Sequence, residues 1–352
     1  MQITLEEKFS TVTTNNLMKY NLSIMLLTAC CLWLMLAGAV HAQEIKLTEA
    51  LSKITVASAV RVRTDPQVQA QEITRLKLGT IVNAAAHSVD ESEIGGKKDY
   101  WYRVQLPSGE SGWVFGGLLT DYTPARRAEI FRLIIDDRLK AESLSVEDGI
   151  DLYNFVSGRL DEATSRNDKG EIELLKLLAL GRSVGSIPFD QRDRPPYRDW
   201  YRAHQGEIVY SEPSADWLVR SELFWELEKQ YRGLPVAERI AWEAAQNRLP
   251  GECEGDAVCG FSYLSQTEGR YLSLYPNGSH AGEVLKHFEE ALESDDLRSA
   301  LGNKGGDKYV AEAREELKKA LAELRTTLSR TNNPGKAAVL KNLDGLSSGY
   351  RY

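Results

Sequence analysis

Two cysteines in an acidic loop are the first residues of this chain that could do chemistry. Cys253 and Cys259 enclose Glu254 to Val258 within NRLPGECEGDAVCGF. A C-x5-C spacing with no nearby histidine or further cysteine is poor for zinc, and it lacks the C-x-x-C of a redox pair. The better reading is a structural disulfide, worth about 2 kcal/mol on loop-entropy grounds because the loop is short. Glu252, Glu254 and Asp256 offer oxygen ligands to calcium, against the plainer reading of a solvated acidic loop. His280 and His287 lie two helical turns apart and can face Glu283, but they are too far apart to share a metal comfortably. Glu238 and Glu243 flank Ala241-Trp242 at a spacing that does not stack on one helix face. There is no G-x-S-x-G, no P-loop, no H-E-x-x-H and no dinucleotide fingerprint. The sequence therefore offers no catalytic residue, metal or cofactor, and the chain reads as a non-enzyme.

Aromatic residues carry the other chemical signal. WYRVQLPSGESGWV, residues 101 to 114, holds one tryptophan on each side of Pro107-Ser108-Gly109-Glu110. If those four residues form the loop of a hairpin, Leu106 pairs with Ser111, Val104 with Trp113 and Tyr102 with Phe115. Alternation along the strands then places Tyr102, Val104, Leu106, Trp113 and Phe115 on one apolar face, with Trp101, Arg103 and Val114 on the other. A register slip of one residue exchanges Trp113 and Phe115 for Val114. In this pairing Trp101 is the exposed aromatic, and Tyr100, Trp101 and Arg103 are the ligand-binding candidates. In SADWLVRSELFWELEKQYRGLPVAERIAW, Trp217 and Phe224 are seven apart, as are Leu218 and Trp225, which describes the buried stripe of a packed helix.

The 352 residues suffice for two domains, and the formal charge of -8 with no long basic block argues against nucleic acid as a partner. No charge interrupts Asn21 to Gln43, and Val40 and Ala42 fit the small positions of a signal-peptidase site, so the expected mature chain begins at Gln43. The rivals are an uncleaved anchor over 21–42, the only membrane contact expected, and a lipoprotein through Cys30, although that cysteine sits in mid-run. Removing residues 1–42 takes away Glu6, Glu7, Lys8 and Lys19, which cancel, and leaves Cys253 and Cys259 as an even pair.

The elements that would position these residues change character along the chain. Residues 43–122 alternate in short stretches separated by Gly, Pro, Asp and Ser, the pattern of a small barrel or sandwich. From ARRAEIFRLIIDDRLKAE onward the period is helical, with Ile130, Phe131, Leu133, Ile134 and Leu139 apolar and Pro124 placed to open the helix. Further helical patterns cover SVEDGIDLYNFVSGRLDEA, EIELLKLLALG, DWLVRSELFWELEKQY, PVAERIAWEAAQN, HAGEVLKHFEEALES and DKYVAEAREELKKALAELRTTLSR. The expected division is a signal peptide at 1–42, a β-barrel at 43–122 and a helical spacer at 123–183. A Pro-rich linker at 184–198, an α-helical domain at 199–345 and a disordered tail at 346–352 complete it. The fold class is multidomain α+β, a small all-β barrel followed by an all-α region.

Val60-Arg61-Val62-Arg63-Thr64-Asp65-Pro66, Leu76, Gly79, Val82, Trp101, Val104 and Gly112-Trp113-Val114 stand in the order and spacing of the bacterial SH3 (SH3b) family, which residues 56–122 resemble. Asp65 stands where glycine is frequent in that family, and the His87–Asp99 insertion is longer than usual. The resemblance implies an SH3-like barrel, used in exported bacterial proteins to attach to cell-wall peptide or to contact proteins. Separately, GRYLSLYPNGSHAGEVLKHFEEAL resembles the turn between tetratricopeptide-like helical hairpins, with Pro276, Asn277 and Gly278 stopping one helix and Ser279 capping the next. A single copy is evident, so a plain helix-turn-helix packing unit is preferred. Together these readings give an exported, periplasmic or secreted, non-catalytic binding or scaffold protein of the bacterial envelope, with peptidoglycan or an envelope protein as partner. A wall-acting enzyme with an unrecognised site in the helical domain and a tetratricopeptide-like assembly factor are the alternatives.

Overall fold

The computed structural model describes residues 44–106, 108–302 and 308–348. The Ala42/Gln43 cleavage point, the 21–42 run with Cys30, Pro107 and residues 349–352 lie outside that description. The chain forms two compact units. The described part of the first comprises residues 44–51, 62–73 and 83–117; the second comprises 52–61, 74–82 and the chain from 118 onward.

Nine strands precede the α-helices among the described residues: β1 (Glu44–Thr55), β2 (Val60–Arg63), β3 (Glu72–Leu76), β4 (Ile81–Ser88), β5 (Ser92–Ile94), β6 (Lys97–Asp99), β7 (Trp101–Gln105), β8 (Ser111–Phe115) and β9 (Leu119–Asp121). In the first unit the sheet runs in the order β3-β2-β8-β7-β4, and the pairs β2–β8, β8–β7 and β7–β4 are antiparallel. Val62, Ala84, Ala86, Val104 and Val114 are almost fully buried there. The insertion read as a long loop is itself a hairpin. Ser92, Glu93 and Ile94 pair with Asp99, Lys98 and Lys97, and Gly95 and Gly96 both turn with positive φ. Two consecutive left-handed residues are what a type I′ turn demands, and glycine takes that conformation without the steric cost of a side chain.

In the second unit the end of β1 pairs antiparallel with β9, Ile54 opposite Thr120. Its helices are α1 (Arg127–Lys140), α2 (Val146–Ser157), α3 (Arg166–Gly185), α4 (Tyr197–Ala203), α5 (Ser221–Tyr231), α6 (Pro235–Gln246), α7 (Ala257–Leu264), α8 (Arg270–Leu274), α9 (Ala281–Leu292), α10 (Asp295–Gly302), α11 (Lys308–Leu328) and α12 (Lys336–Ser348). Local signals start several of them. Ser145 and Ser165 accept hydrogen bonds from the Asp148 and Asp168 amides to cap α2 and α3, and Pro235 opens α6 where its missing N–H costs nothing.

One hydrophobic core runs through this unit. Leu152, Leu174 and Leu180 from α2 and α3 meet Phe224, Ile240, Tyr271 and Phe288 from α5, α6, α8 and α9. Ile54 and Leu78, from the β segments 52–61 and 74–82, belong to the same core. Those segments are also tied down by polar contacts. The Ser58 amide donates to Asp148, the Leu78 amide to Asp151, and Arg138 donates to the Val56 carbonyl. Gly79 has φ +75°, and a Cβ there would sit 2.0 Å from the Phe155 ring, so the glycine is needed for both its dihedral and its closeness to α2.

One helical expectation is corrected. Asp216–Val219 is a strand, β11, paired antiparallel with β10 (Ile208–Ser211), and α5 starts only at Ser221. Ala215, at φ +49°, turns the chain between the two strands, and the extended Arg220 then separates Trp217 and Leu218 in β11 from the helix carrying Phe224 and Trp225. The seven-residue spacing across that break is a coincidence of two elements. Trp217 instead stacks on Tyr201 with its ring centroid 5.2 Å away. In α1, Leu133 is exposed and the buried stripe is Ile130, Phe131, Ile134 and Ile135.

Candidate ligand-binding surface

The hairpin of β7 and β8 closes one residue away from the expected register. The Leu106 amide donates to the Glu110 carbonyl, and Gly109 turns back with φ +88°. Gln105 therefore pairs with Ser111, Arg103 with Trp113, and Trp101 with Phe115. The glycine makes a tighter loop possible than the four residues assumed from sequence, and a shift of one residue moves every partner to the other face. Tyr102 and Val104 now share a face with Val114 and Gly112, whereas Trp113 and Phe115 lie with Trp101 and Arg103.

This register places Trp101 in the core. It is 3 % exposed, and its ring lies 5.8 Å from Phe115. The indole Nε1–H donates to Ser92 Oγ at 3.0 Å, and the Trp101 amide donates to Ser88 Oγ at 3.0 Å. The Ser88 hydroxyl donates in turn to the Asp90 carbonyl. Trp101 is thus the anchor of the β5–β6 hairpin, and its expected exposure is corrected. Arg103 is exposed and donates through Nη1 to both Glu44 carboxylate oxygens, at 2.8 and 3.0 Å.

Tyr100 is half-buried, and the register brings it into a group that the sequence did not assemble. A bulge between Ala84 and Ala86 in β4 sets His87 opposite Tyr102. The His87 ring lies 4.7 Å from Tyr100 and 6.3 Å from Tyr102, tilted by 52° and 56°. His87 Nδ1–H donates to the Ser88 carbonyl at 2.7 Å, which fixes the tautomer and leaves Nε2 as an acceptor in the neutral ring. On the other side the Tyr100 amide donates to Asp99 Oδ1, and the Tyr100 carbonyl accepts from the Gly116 amide. A Cβ on Gly116 would come within 2.6 Å of the Tyr102 ring and of Asp99, so the chain can pass this close only as glycine. Three tilted, half-buried rings offer π-faces and edges to a ligand with apolar and polar parts. His87 was legible only as the first residue of a loop, because the bulge that turns it toward the tyrosines leaves no compositional mark.

The remaining candidates are placed elsewhere, within the helical unit. Cys253 and Cys259 form the disulfide. Asp256 Oδ1 accepts from the Val258 and Cys259 amides, so this acid of the proposed calcium loop caps α7. Trp242 stacks flat on His280, with centroids 3.8 Å apart, and His287 bonds Glu268 at 2.7 Å. Ser279 does not cap the next helix; its amide and hydroxyl both donate to Glu238 Oε1 at 2.6 Å. Tyr271 donates to the same oxygen and accepts from the His280 amide. Burial raises the Glu238 pKa, but the Ser279 and Tyr271 hydrogen bonds outweigh it, and the net shift is downward. Glu243 goes the other way, pushed up by burial against weaker pulls from Arg239 and His280. Burial also pushes the Tyr271 hydroxyl up to about 12. The arrangement locks the turn between α8 and α9.

Among the described residues no helix is long and apolar enough to cross a membrane. The fold thus defines a small antiparallel β unit whose aromatic group lies beside an inserted hairpin, together with a larger helical unit. Residues 58–120 match the family of the bacterial SH3 domain. No curated protein and no solved structure matches the chain. The matched range takes in β2 to β8 and the His87–Tyr100–Tyr102 group, whereas β1 and the helices from Arg127 onward fall outside it.

Proposed function

We propose that the protein is a non-catalytic binding protein of the bacterial cell envelope, and that its SH3 domain holds peptidoglycan peptide or an envelope protein through His87, Tyr100 and Tyr102. The observation that carries this reading is the coincidence of a bacterial SH3 match over 58–120 with three half-buried rings grouped beside its inserted hairpin. Such domains commonly serve envelope proteins, which agrees with export directed by the apolar run before Gln43. Tilted aromatic faces suit the mixed apolar and amide surface of a peptide, and anchors of this kind contribute a large share of binding energy. The test is co-sedimentation of the full chain with purified peptidoglycan sacculi. His87→Ala and Tyr100→Ala should each weaken retention by about 10-fold. Undiminished retention in both variants would remove the site from these rings, and release of soluble muropeptides would overturn the non-catalytic reading.

A further inference from the structure

The helical unit carries a recess that the SH3 reading does not use. Between α7 and α8 the residues Ser265–Gly269 are wound as a π-helix, a form that is rare and frequently marks functional positions. This segment walls a cavity of about 640 Å³, completed by residues of α5 and α11. Small-ligand sites run from about 300 to 1,000 Å³. Trp225 and Phe288 give it an apolar floor, and both are nearly buried.

Its charges are arranged in an unusual way. The Arg270 guanidinium lies 4.3 Å from the centre of the Trp225 ring, and among the described residues no carboxylate comes within 4 Å of it. Burial lowers its pKa, against the more distant pulls of Glu228 and Glu222. An arginine held over an aromatic face with no carboxylate partner keeps N–H donors for a planar anion such as a carboxylate. Glu222 of α5 and Glu316 of α11 line the same recess, and among the described residues neither has a cation within 4 Å. Lys319 and Glu323 of α11 also line the recess, but they face each other at 4.0 Å. A simple anion would meet Glu222 and Glu316, and a simple cation would meet Arg270. A ligand bearing one charge of each sign answers both.

We propose that this recess binds a short zwitterionic peptide, its carboxylate on Arg270, its ammonium toward Glu222 and Glu316, and its apolar part on Trp225. The site is independent of the SH3 surface and of the function assigned to it. The experiment is isothermal titration calorimetry of the full chain with trialanine, with its C-terminal amide and with its N-acetyl derivative. Trialanine should bind saturably, and amidation and Arg270→Gln should each weaken it by about 10-fold or more, the worth of a charge-assisted hydrogen bond. Acetylation and Glu316→Gln should weaken it as well. The modified peptides test the proposal on the unaltered protein, so a poorly folding variant does not leave it open. No saturable binding of trialanine, or binding indifferent to amidation, would overturn the site. Sensitivity to amidation but not to acetylation would overturn the zwitterionic assignment.

Discussion

At the residue scale the clearest result is the exchange of roles between Trp101 and His87. Trp101 reads from sequence as the exposed aromatic, but the loop closed by Gly109 turns it inward, where both of its N–H groups are satisfied by serines. Trp101→Ala should therefore cost about 3 to 5 kcal/mol, the usual loss for a buried tryptophan, measured by urea denaturation. A loss below about 1 kcal/mol would return this side chain to the surface. The two glutamates of α6 make opposed predictions. The Glu238 pKa is lowered, so its contribution is present above the ordinary carboxylate range and is lost as pH falls through the folded value. Glu238→Ala strands the Ser279 and Tyr271 donors and should destabilise the protein by about 2 kcal/mol at neutral pH. The Glu243 pKa is raised, so its favourable contribution is present in acid and is lost as pH rises through the folded value. Glu243→Gln should raise the thermal midpoint at neutral pH, and the gain should vanish in acid, where the glutamate is itself neutral. A gain that persists unchanged at low pH would contradict the buried-charge origin.

At the scale of elements, what was legible depended on whether the governing signal was local. The switch from period two to helical period near Pro124 is written in neighbouring residues, as is the Pro-Asn-Gly stop after α8, whereas the Ser279 cap expected beside that stop is replaced by a long-range bond to Glu238. The hairpin at 101–115 was legible as an element, but its register was not, because a single dihedral at Gly109 decides it. The β10–β11 pair is hidden in the sequence because Trp217, Leu218, Phe224 and Trp225 fall at helical spacing across the strand-to-helix break at Arg220, which no turn residue marks, although Pro213-Ser214 does mark the turn between the strands. The β5–β6 hairpin did carry a sequence mark, Gly95-Gly96 between alternating residues, which the reading as a plain insertion passed over. The disulfide fastens the approach to α7, whose first turn is capped by Asp256. Replacing both cysteines with serine should lower stability by about 2 kcal/mol, read from the denaturation midpoint, and an unchanged midpoint would show that Asp256 alone holds the helix start.

At the scale of the molecule, the family boundary and the packing boundary do not coincide. The SH3 match covers 58–120, yet residues 52–61 and 74–82 bury Ile54 and Leu78 in the same core as the helices, and Gly79 is pressed onto Phe155. Sequence patterning can place strands and helices, but not the long-range contacts that assign part of a β segment to a helical core. The practical consequence is that deleting 43–122 would remove core residues from the helical unit, so loss of binding after that deletion would not locate the ligand. Point variants on the ring group do locate it. The most direct measurement is the dissociation constant of the full chain for purified peptidoglycan sacculi, compared between the unaltered protein and a His87→Ala/Tyr100→Ala variant whose thermal midpoint is unchanged. The account predicts a loss of at least about 10-fold. Equal affinity of the two proteins, or no affinity in either, would contradict it.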